Sequence, residues 1–303
     1  MNEVLLTPRH HPRWLRHTST RVKSLIWQAA SSCALGGLLG WSFEDHWIRL
    51  ERRHMTIPGL GPDLEGATLA HISDLHCCPI VRERYLRQCV LAVNRLDVDF
   101  VAITGDFITG PRYYARCVAR VLADLRCRVA TVACLGNHDY GIWHPKGLGG
   151  DAGLADNISE LLSIRDVFVM RNEARIFRVG RSRLQFVGLE DYWSGLYNPH
   201  LAFEMARDDL PTIALCHNPD AAHQVAHFGP SWVLAGHTHG QATPNTRWHN
   251  LVLPTHQKHF AAGEYPLGHG RNLYINRGLG YARRTNLNAR PEITLFTLTG
   301  NQE

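Results

Sequence analysis

Short, nearly unbroken apolar runs alternate along this chain with longer stretches in which apolar residues recur every three or four positions. ATLAHIS (67–73), DFVAITG (99–105) and RVATVACLG (128–136) are of the first kind, and each closes in a polar loop. Runs of that length and composition predict buried strands. Between them, RERYLRQCVLAVNRL (82–96) and YYARCVARVLADL (113–125) carry helical spacing. ARIFRVGRSRLQFVGLED (174–191) predicts two strands about a tight turn at Gly180. PTIALCH (211–217), PSWVLAGH (230–237), NLYINRG (272–278) and EITLFTL (292–298) continue the strand series. Strands alternating with helices, followed by a strand-rich second half, predict an α/β fold of stacked sheets with outer helices. The domain is expected from about Leu64 to residue 300.

Two N-terminal segments differ from this pattern. Residues 1–23 hold Arg9, Arg13, Arg16, Arg21 and Lys23 against the single acid Glu3, and form a basic tail. Residues 24–45 contain the uncharged run LIWQAASSCALGGLLGWSF, from Leu25 to Phe43, with a Trp near either end. A spanning helix needs roughly 20 apolar residues, so the length is just adequate. Its strongly apolar members (Leu25, Ile26, Leu35, Leu38, Leu39, Phe43) favour insertion by only about 3 kcal/mol in all, and Gln28, Ser31, Ser32 and the glycines offset much of that. A single span, an interfacial helix and an uncleaved signal-like anchor all fit. Basic residues before the run and Glu44–Asp45 after it would carry the domain across the membrane if it spans. The eight cysteines oppose this: they form no CxxC pairs, and Cys134 and Cys216 lie in apolar runs as small hydrophobes. Reduced thiols favour the cytosol. The marginal insertion energy decides for a membrane-anchoring helix lying at the cytoplasmic face.

Composition adds little beyond this. Hydrophobic residues at 45% are ordinary for a chain with a real core. The net charge of +5 is largely local to the tail, which excludes a nucleic-acid footprint spread over a domain and suits contact with anionic lipid. Nineteen histidines direct attention to ligand spacing.

Five polar clusters each follow a predicted strand: Asp74-Leu75-His76, Asp106, Asn137-His138-Asp139, His217 and His237-Thr238-His239. Loops at the carboxyl ends of strands in an α/β sheet gather into one crevice, so these clusters are expected to meet. Singly each has an ordinary reading, since an Asp after a strand caps helices and NHD forms Asx turns. Their conjunction does not. Carboxylate, imidazole and amide oxygen together suit divalent Mn, Fe, Co or Zn. Seven such donors (Asp74, His76, Asp106, Asn137, His217, His237, His239) exceed one tetrahedral ion and match two cations sharing a carboxylate. Asp74/His76 and His237/His239 are spaced i, i+2, and on an extended loop the members of such a pair can diverge to different cations. A two-metal site clamps phosphoryl oxygens and activates water for hydrolysis. Cys77 and Cys78 are expected near the metals without binding them, and His249, His256 and His259 on the surface.

The order D-x-H, G-D, G-N-H-D, H, G-H-x-H over residues 70–240 resembles the calcineurin-like metallophosphoesterase superfamily. That resemblance implies a sandwich of two mixed β-sheets flanked by helices, with two divalent ions, Mn foremost. It implies Asp74, His76, Asp106 and His239 on the first ion, with Asp106 bridging to a second completed by Asn137, His217 and His237. It makes His138 the group that stabilises the phosphoryl and protonates the leaving oxygen, oriented by Asp139. The apolar N-terminal segment, LEGATLAHISDLH and INRGLGYARRTNLNARPEITLFTL are similar to the membrane-associated bacterial branch containing YkuE- and YaeI-like phosphodiesterases and related UDP-2,3-diacylglucosamine hydrolases. The branch implies a phosphodiester or pyrophosphate substrate, with a lipid-linked sugar nucleotide such as UDP-2,3-diacylglucosamine among the candidates, at the bacterial inner membrane. GHTHGQ here is one glycine shorter than that branch's GHTHGGQ, which leaves the ligands in place and alters the loop beyond them. Arg277, Arg283, Arg284 and Arg290 are weaker candidates for a second phosphate, because guanidinium forks suit it. A soluble phosphoprotein phosphatase or nucleotide phosphodiesterase and a non-catalytic scaffold of the same fold are the alternatives. Partition of residues 25–43 into membrane separates the first, and the full ligand set counts against the second.

Overall fold

The computed structural model describes residues 48–144, 150–240, 255, 257, 259–280 and 290–301. Two six-stranded mixed sheets stack face to face. The first has the order β1 (Arg49–Thr56), β12 (Glu292–Thr299), β2 (Thr68–Ile72), β3 (Phe100–Thr104), β4 (Ala130–Cys134), β5 (Val167–Val169). The second has β10 (Gly263–Gly268), β11 (Arg271–Ile275), β9 (Trp232–Ala235), β8 (Thr212–Leu215), β7 (Ser182–Gly188), β6 (Glu173–Val179). Strands β2 to β5 run parallel, as do β7, β8, β9 and β11. β12 is antiparallel to β2, and β6 and β10 are antiparallel to their neighbours.

The continuous apolar runs follow from burial on both strand faces. In β3, Phe100 and Ala102 enter the core between the sheets with Leu69, Val132, Phe186, Ile213, Trp232 and Phe296. Val101 and Ile103 point the other way, against helices α1 (Glu83–Asn94), α2 (Tyr113–Leu122) and α3 (Ala152–Ser163). On the outer face of the second sheet, Val187, Ala214, Val233 and Ile275 pack beneath α4 (Pro199–Glu204) and α5 (Ala222–Ala226). Cys134 and Cys216 lie in these cores, as their apolar surroundings led one to expect.

One difference from the sequence expectation bears on the site. The first sheet begins before Leu64: β1 pairs with β12 from Arg49↔Glu292 to Thr56↔Thr299. β1 is an edge strand whose residues are mostly exposed, so it shows no alternation to read. The expected tail and anchoring helix (1–23 and 24–45) lie outside the described residues. Among the described residues, no helix is long and apolar enough to cross a membrane.

Candidate metal centre

All five clusters leave the carboxyl ends of parallel strands, three in the first sheet and two in the second. Backbone bonds lace the loops together: the Asp74 amide donates to the Gly105 carbonyl at 3.0 Å, and the His76 amide to the Asp106 carbonyl at 2.9 Å. Asp74, His76, Asp106, His237 and His239 all adopt left-handed backbone, with φ between 47° and 72°, a region costly for residues other than glycine. These loops are therefore curled and not extended. Asp74 and His76 consequently converge on one triad, the grouping the family resemblance implies, and do not diverge as an extended loop would allow. His237 and His239 do diverge.

Three groups of donor atoms result, each within 4.8 Å: Asp74–His76–His239, His76–Asp106–His138 and Asp106–His217–His237. Asp106 links them. Its Oδ2 lies 3.3 Å from His217 Nε2 and 3.5 Å from His76 Nε2. Asp74 Oδ1 lies 3.6 Å from His76 Nε2 and 3.5 Å from His239 Nε2. Every one of these residues is at most 5% exposed.

The donor set fits a pair of cations on three grounds. His76 Nε2 and His239 Nε2 approach to 3.0 Å, and His237 Nδ1 and His217 Nε2 to 3.2 Å, an arrangement that gathers imidazole nitrogens in pairs beside the Asp74 and Asp106 carboxylates. The outer nitrogens are occupied so as to favour this. His217 Nδ1 donates to the Thr104 carbonyl at 2.7 Å, which makes Nε2 the inward acceptor, and His76 Nδ1 bonds Thr109 Oγ1 at 2.6 Å. Such outer bonds fix a ligand's tautomer and ring orientation. Lastly, Asn137 donates through Nδ2 to the Ile142 carbonyl at 2.7 Å, while its buried Oδ1 has no hydrogen-bond partner among the described residues. An unpaired buried oxygen is costly, and a cation satisfies it.

The buried charges compensate one another. Burial alone would raise Asp106 and lower His217, but their mutual attraction wins: Asp106 is held well below, and His217 well above, its ordinary range. Asp74 is likewise lowered: burial opposes ionisation, and His239 and His76 outweigh it.

His138 stands beside the ligands. Its amide donates to Asp106 Oδ1 at 2.9 Å, and its Nε2 is 3.9 Å from Asp106 Oδ2. Its ring meets His76 and Trp143 edge-on, at centroid distances of 4.9 and 4.3 Å. Asp139 Oδ1 accepts from the Phe107 amide and Oδ2 from the Gly136 amide, both at 2.9 Å. These bonds tie the loop after β4 to the loop after β3. Cys77 and Cys78 are buried but join none of the donor groups, and His259 is exposed. His249 and His256 lie outside the described residues.

Of the arginine candidates, Arg277 Nη1 bonds Glu292 and lies 3.4 Å from Glu51, so its charge is already matched by carboxylates. Arg290 is partly buried just before β12. Arg283 and Arg284 lie outside the described residues.

Asp191 was not foreseen. It follows β7, is 1% exposed, and accepts the Trp193 amide at 2.8 Å. That bond holds the Trp193 ring edge-on to His237, at 4.7 Å. Burial pushes its carboxyl up to about 7, against the opposing pull of His217. The strand-end rule that found the other clusters applies equally to LED at 189–191.

The family model of the calcineurin-like phosphoesterases matches residues 67–241, more than half of the chain. The metallophosphoesterase YkuE of Bacillus subtilis is 28% identical over 278 residues, 89% of this chain and 93% of its own length. The UDP-2,3-diacylglucosamine pyrophosphatase LpxG of Chlamydia trachomatis is 25% identical over 305 aligned positions, covering 86% of this chain and 93% of LpxG. Phosphodiesterase YaeI of Escherichia coli is 27% identical over 228 residues, 75% of this chain and 80% of YaeI. The buried donor groups linked by Asp106 occupy the matched region, and the chain belongs to the calcineurin-like phosphoesterase family as a metal-dependent phosphoesterase.

Proposed function

We propose that this phosphoesterase cleaves a phosphodiester or pyrophosphate bond in a lipid-linked sugar nucleotide, with UDP-2,3-diacylglucosamine the specific candidate. It works with two divalent ions, Mn foremost and Fe, Co or Zn compatible with the same donors, at the cytoplasmic face of a bacterial inner membrane. The observation that carries the chemistry is the sharing of Asp106 between donor groups on both sides. The substrate class rests on similarity to LpxG along most of both chains.

Asp74, His76, His239 and Asp106 would hold one ion, and Asp106, Asn137, His217 and His237 the other. The ions, when bound, supply an activated water and neutralise charge on the phosphoryl oxygens. The chain's own residues do the rest. His138, beside Asp106 and outside the assigned ligands, donates a proton from its ring to the departing oxygen, which a poor leaving group requires. Trp143 stands edge-on to that ring, restricting water at the acid. Asp139 fixes the loop bearing His138 through the Gly136 and Phe107 amides.

The test is purified protein reconstituted with Mn and assayed side by side on UDP-2,3-diacylglucosamine, an aryl phosphodiester and an aryl monophosphate. Turnover of the first two with little hydrolysis of the third is expected. A preference for the monophosphate would replace this reading with that of a phosphomonoesterase such as a phosphoprotein phosphatase.

A further inference from the structure

The chain enters the fold at the metal end of the sandwich. Arg49 pairs with Glu292, and the antiparallel register Thr294↔His71 puts Glu292 level with Ser73, one residue before Asp74. The Glu292 amide also bonds the Gly278 carbonyl, and the Leu279 amide bonds Ser73. So Ile48, where the described residues begin, stands at the end of the first sheet that carries the metal centre.

At that entry a groove of about 390 Å³ opens between β1 and α1. Ile48, Leu50, Leu96 and Ile293 supply its apolar walls, and Arg84 and Arg95 its charged ones. Leu50 is 41% exposed, and Leu91, on the outward side of α1, is 44% exposed. Arg84 and Arg95 are exposed and form no ion pair among the described residues. The neighbouring arginine of the same helix differs: Arg87 is held by Glu83 and Asp124. Arg52, on the same strand face as Ile48 and Leu50, adds an exposed cation, while Arg49 is paired with Glu51. Apolar side chains rimmed by unmatched arginines suit a surface that offers acyl chains and anionic headgroups together.

The length of chain outside the structure names the occupant. The uncharged run ends at Phe43, five residues before Ile48, and five residues span at most about 18 Å. If that run rests in a bilayer, the groove lies within about two Debye lengths of the headgroups at physiological salt.

We propose that the β1–α1 groove is a docking face for an anionic phospholipid bilayer, and that it holds the metal end of the sandwich toward the membrane surface. This rests on the membrane attachment proposed above. It adds an orientation: a substrate anchored in the bilayer by acyl chains presents its phosphate linkage at the height of the metal centre, with no need to leave the lipid.

The experiment uses the full chain with a photo-crosslinking phenylalanine derivative in place of Leu91 and, in a separate sample, of Leu201. Leu201 lies on α4 over the far face of the second sheet and is 46% exposed. Vesicles are phosphatidylcholine alone or phosphatidylcholine with phosphatidylglycerol. Lipid should be captured at position 91 and not at 201. The double variant Arg84→Glu/Arg95→Glu should capture about tenfold less from the phosphatidylglycerol vesicles, with hydrolysis of a soluble aryl phosphodiester unchanged. If that variant loses soluble activity through misfolding, Arg84→Gln/Arg95→Gln carries the comparison. Vesicle binding with equal capture at both positions, or capture at 91 indifferent to both arginine pairs, would overturn the docking face alone. Absence of vesicle binding by the full chain would overturn the membrane reading with it, whereas loss of phosphodiesterase activity in unaltered protein would strike the proposed function and leave the docking face standing.

Discussion

Gly136 offers the sharpest test of the geometry at the metal centre, because it has no conformational reason to be glycine. Its φ of −106° is open to any residue. Space is what it lacks. A Cβ built there lies 2.6 Å from the Asp106 amide nitrogen and closer still to Asp106 Oδ1, where ordinary contact begins at 3.4 Å. Gly136→Ala must therefore displace the Asp106 backbone by about 0.8 Å, the difference between those two distances, and the Asp106 carboxylate by more. The cost has two parts. Overpacking a well-filled site costs about 1–3 kcal/mol of stability, which a domain of this size survives. Misplacing catalytic groups by about 1 Å costs on the order of 10²-fold in rate. Because Asp106 belongs to donor groups on both sides, occupancy of both ions should fall together.

The assay is elemental analysis after gel filtration, with kcat on an aryl phosphodiester measured at saturating Mn. Gly150→Ala serves as control, since a methyl there meets only the adaptable side chain of Ile142, at 3.3 Å. Expected is a folded Gly136→Ala protein with reduced content of both ions and kcat down about a hundredfold, beside a control indistinguishable from wild type. Full metal content with wild-type kcat in Gly136→Ala would show that the carboxylate has slack the structure denies, and would sink the bridging argument.

Other changes probe other links. Asp106→Ala should abolish both metal occupancy and activity, and a variant retaining two tightly held ions by elemental analysis would refute the assignment of Asp106 as the shared ligand. His138→Asn should keep its metals and lose about 10²–10⁴-fold in rate, less for aryl substrates with good leaving groups; an equal loss across leaving groups would make His138 a ligand or a purely structural residue. His71 is wholly buried against Thr104, and burial holds its imidazole down at about 3. As pH falls below 6.5 the unfolded imidazole takes a proton that the folded one refuses, so stability is lost toward pH 3 at up to about 1.4 kcal/mol per pH unit. Urea unfolding of metal-free His71→Gln should show a slope between pH 6.5 and 5 shallower by about one proton, and an unchanged slope would mean that His71 titrates normally in the fold.

Legibility tracked how far a signal is local. Strands buried on both faces announce themselves, so β2, β3, β4, β8, β9, β11 and β12 and the clusters at the ends of five of them were readable from the letters. β1 was not, because an edge strand written RLERRHMT buries little and charges protect its open side. β5 has three residues and α5 five, too short to establish a period. α3 carries its apolar face at Leu154, Ile158 and Leu162, but Gly153 and Asn157 dilute the helical signal. In the centre itself, the residue types and their order were legible and the directions of the side chains were not. Asp139 follows His138 in sequence, yet its carboxylate turns to the amides of Gly136, within its own turn, and of Phe107, which becomes its neighbour only when the loops after β3 and β4 meet.

The same closure explains how donors so uncomfortable together are held. Donors in left-handed backbone carry a local cost on the order of 1 kcal/mol each. That cost is offset where the loops meet and by what surrounds them: Thr104 and Thr109 on the outer imidazole nitrogens, the Gly105 and Asp106 carbonyls receiving the amides of Asp74 and His76, and the sealed core between the sheets beneath. A scaffold that positions the donors through its strand ends and outer hydrogen bonds would hold two cations with little reorganisation, and that is why a methyl group at Gly136, which meets Asp106, is expected to lower the occupancy of both proposed ions.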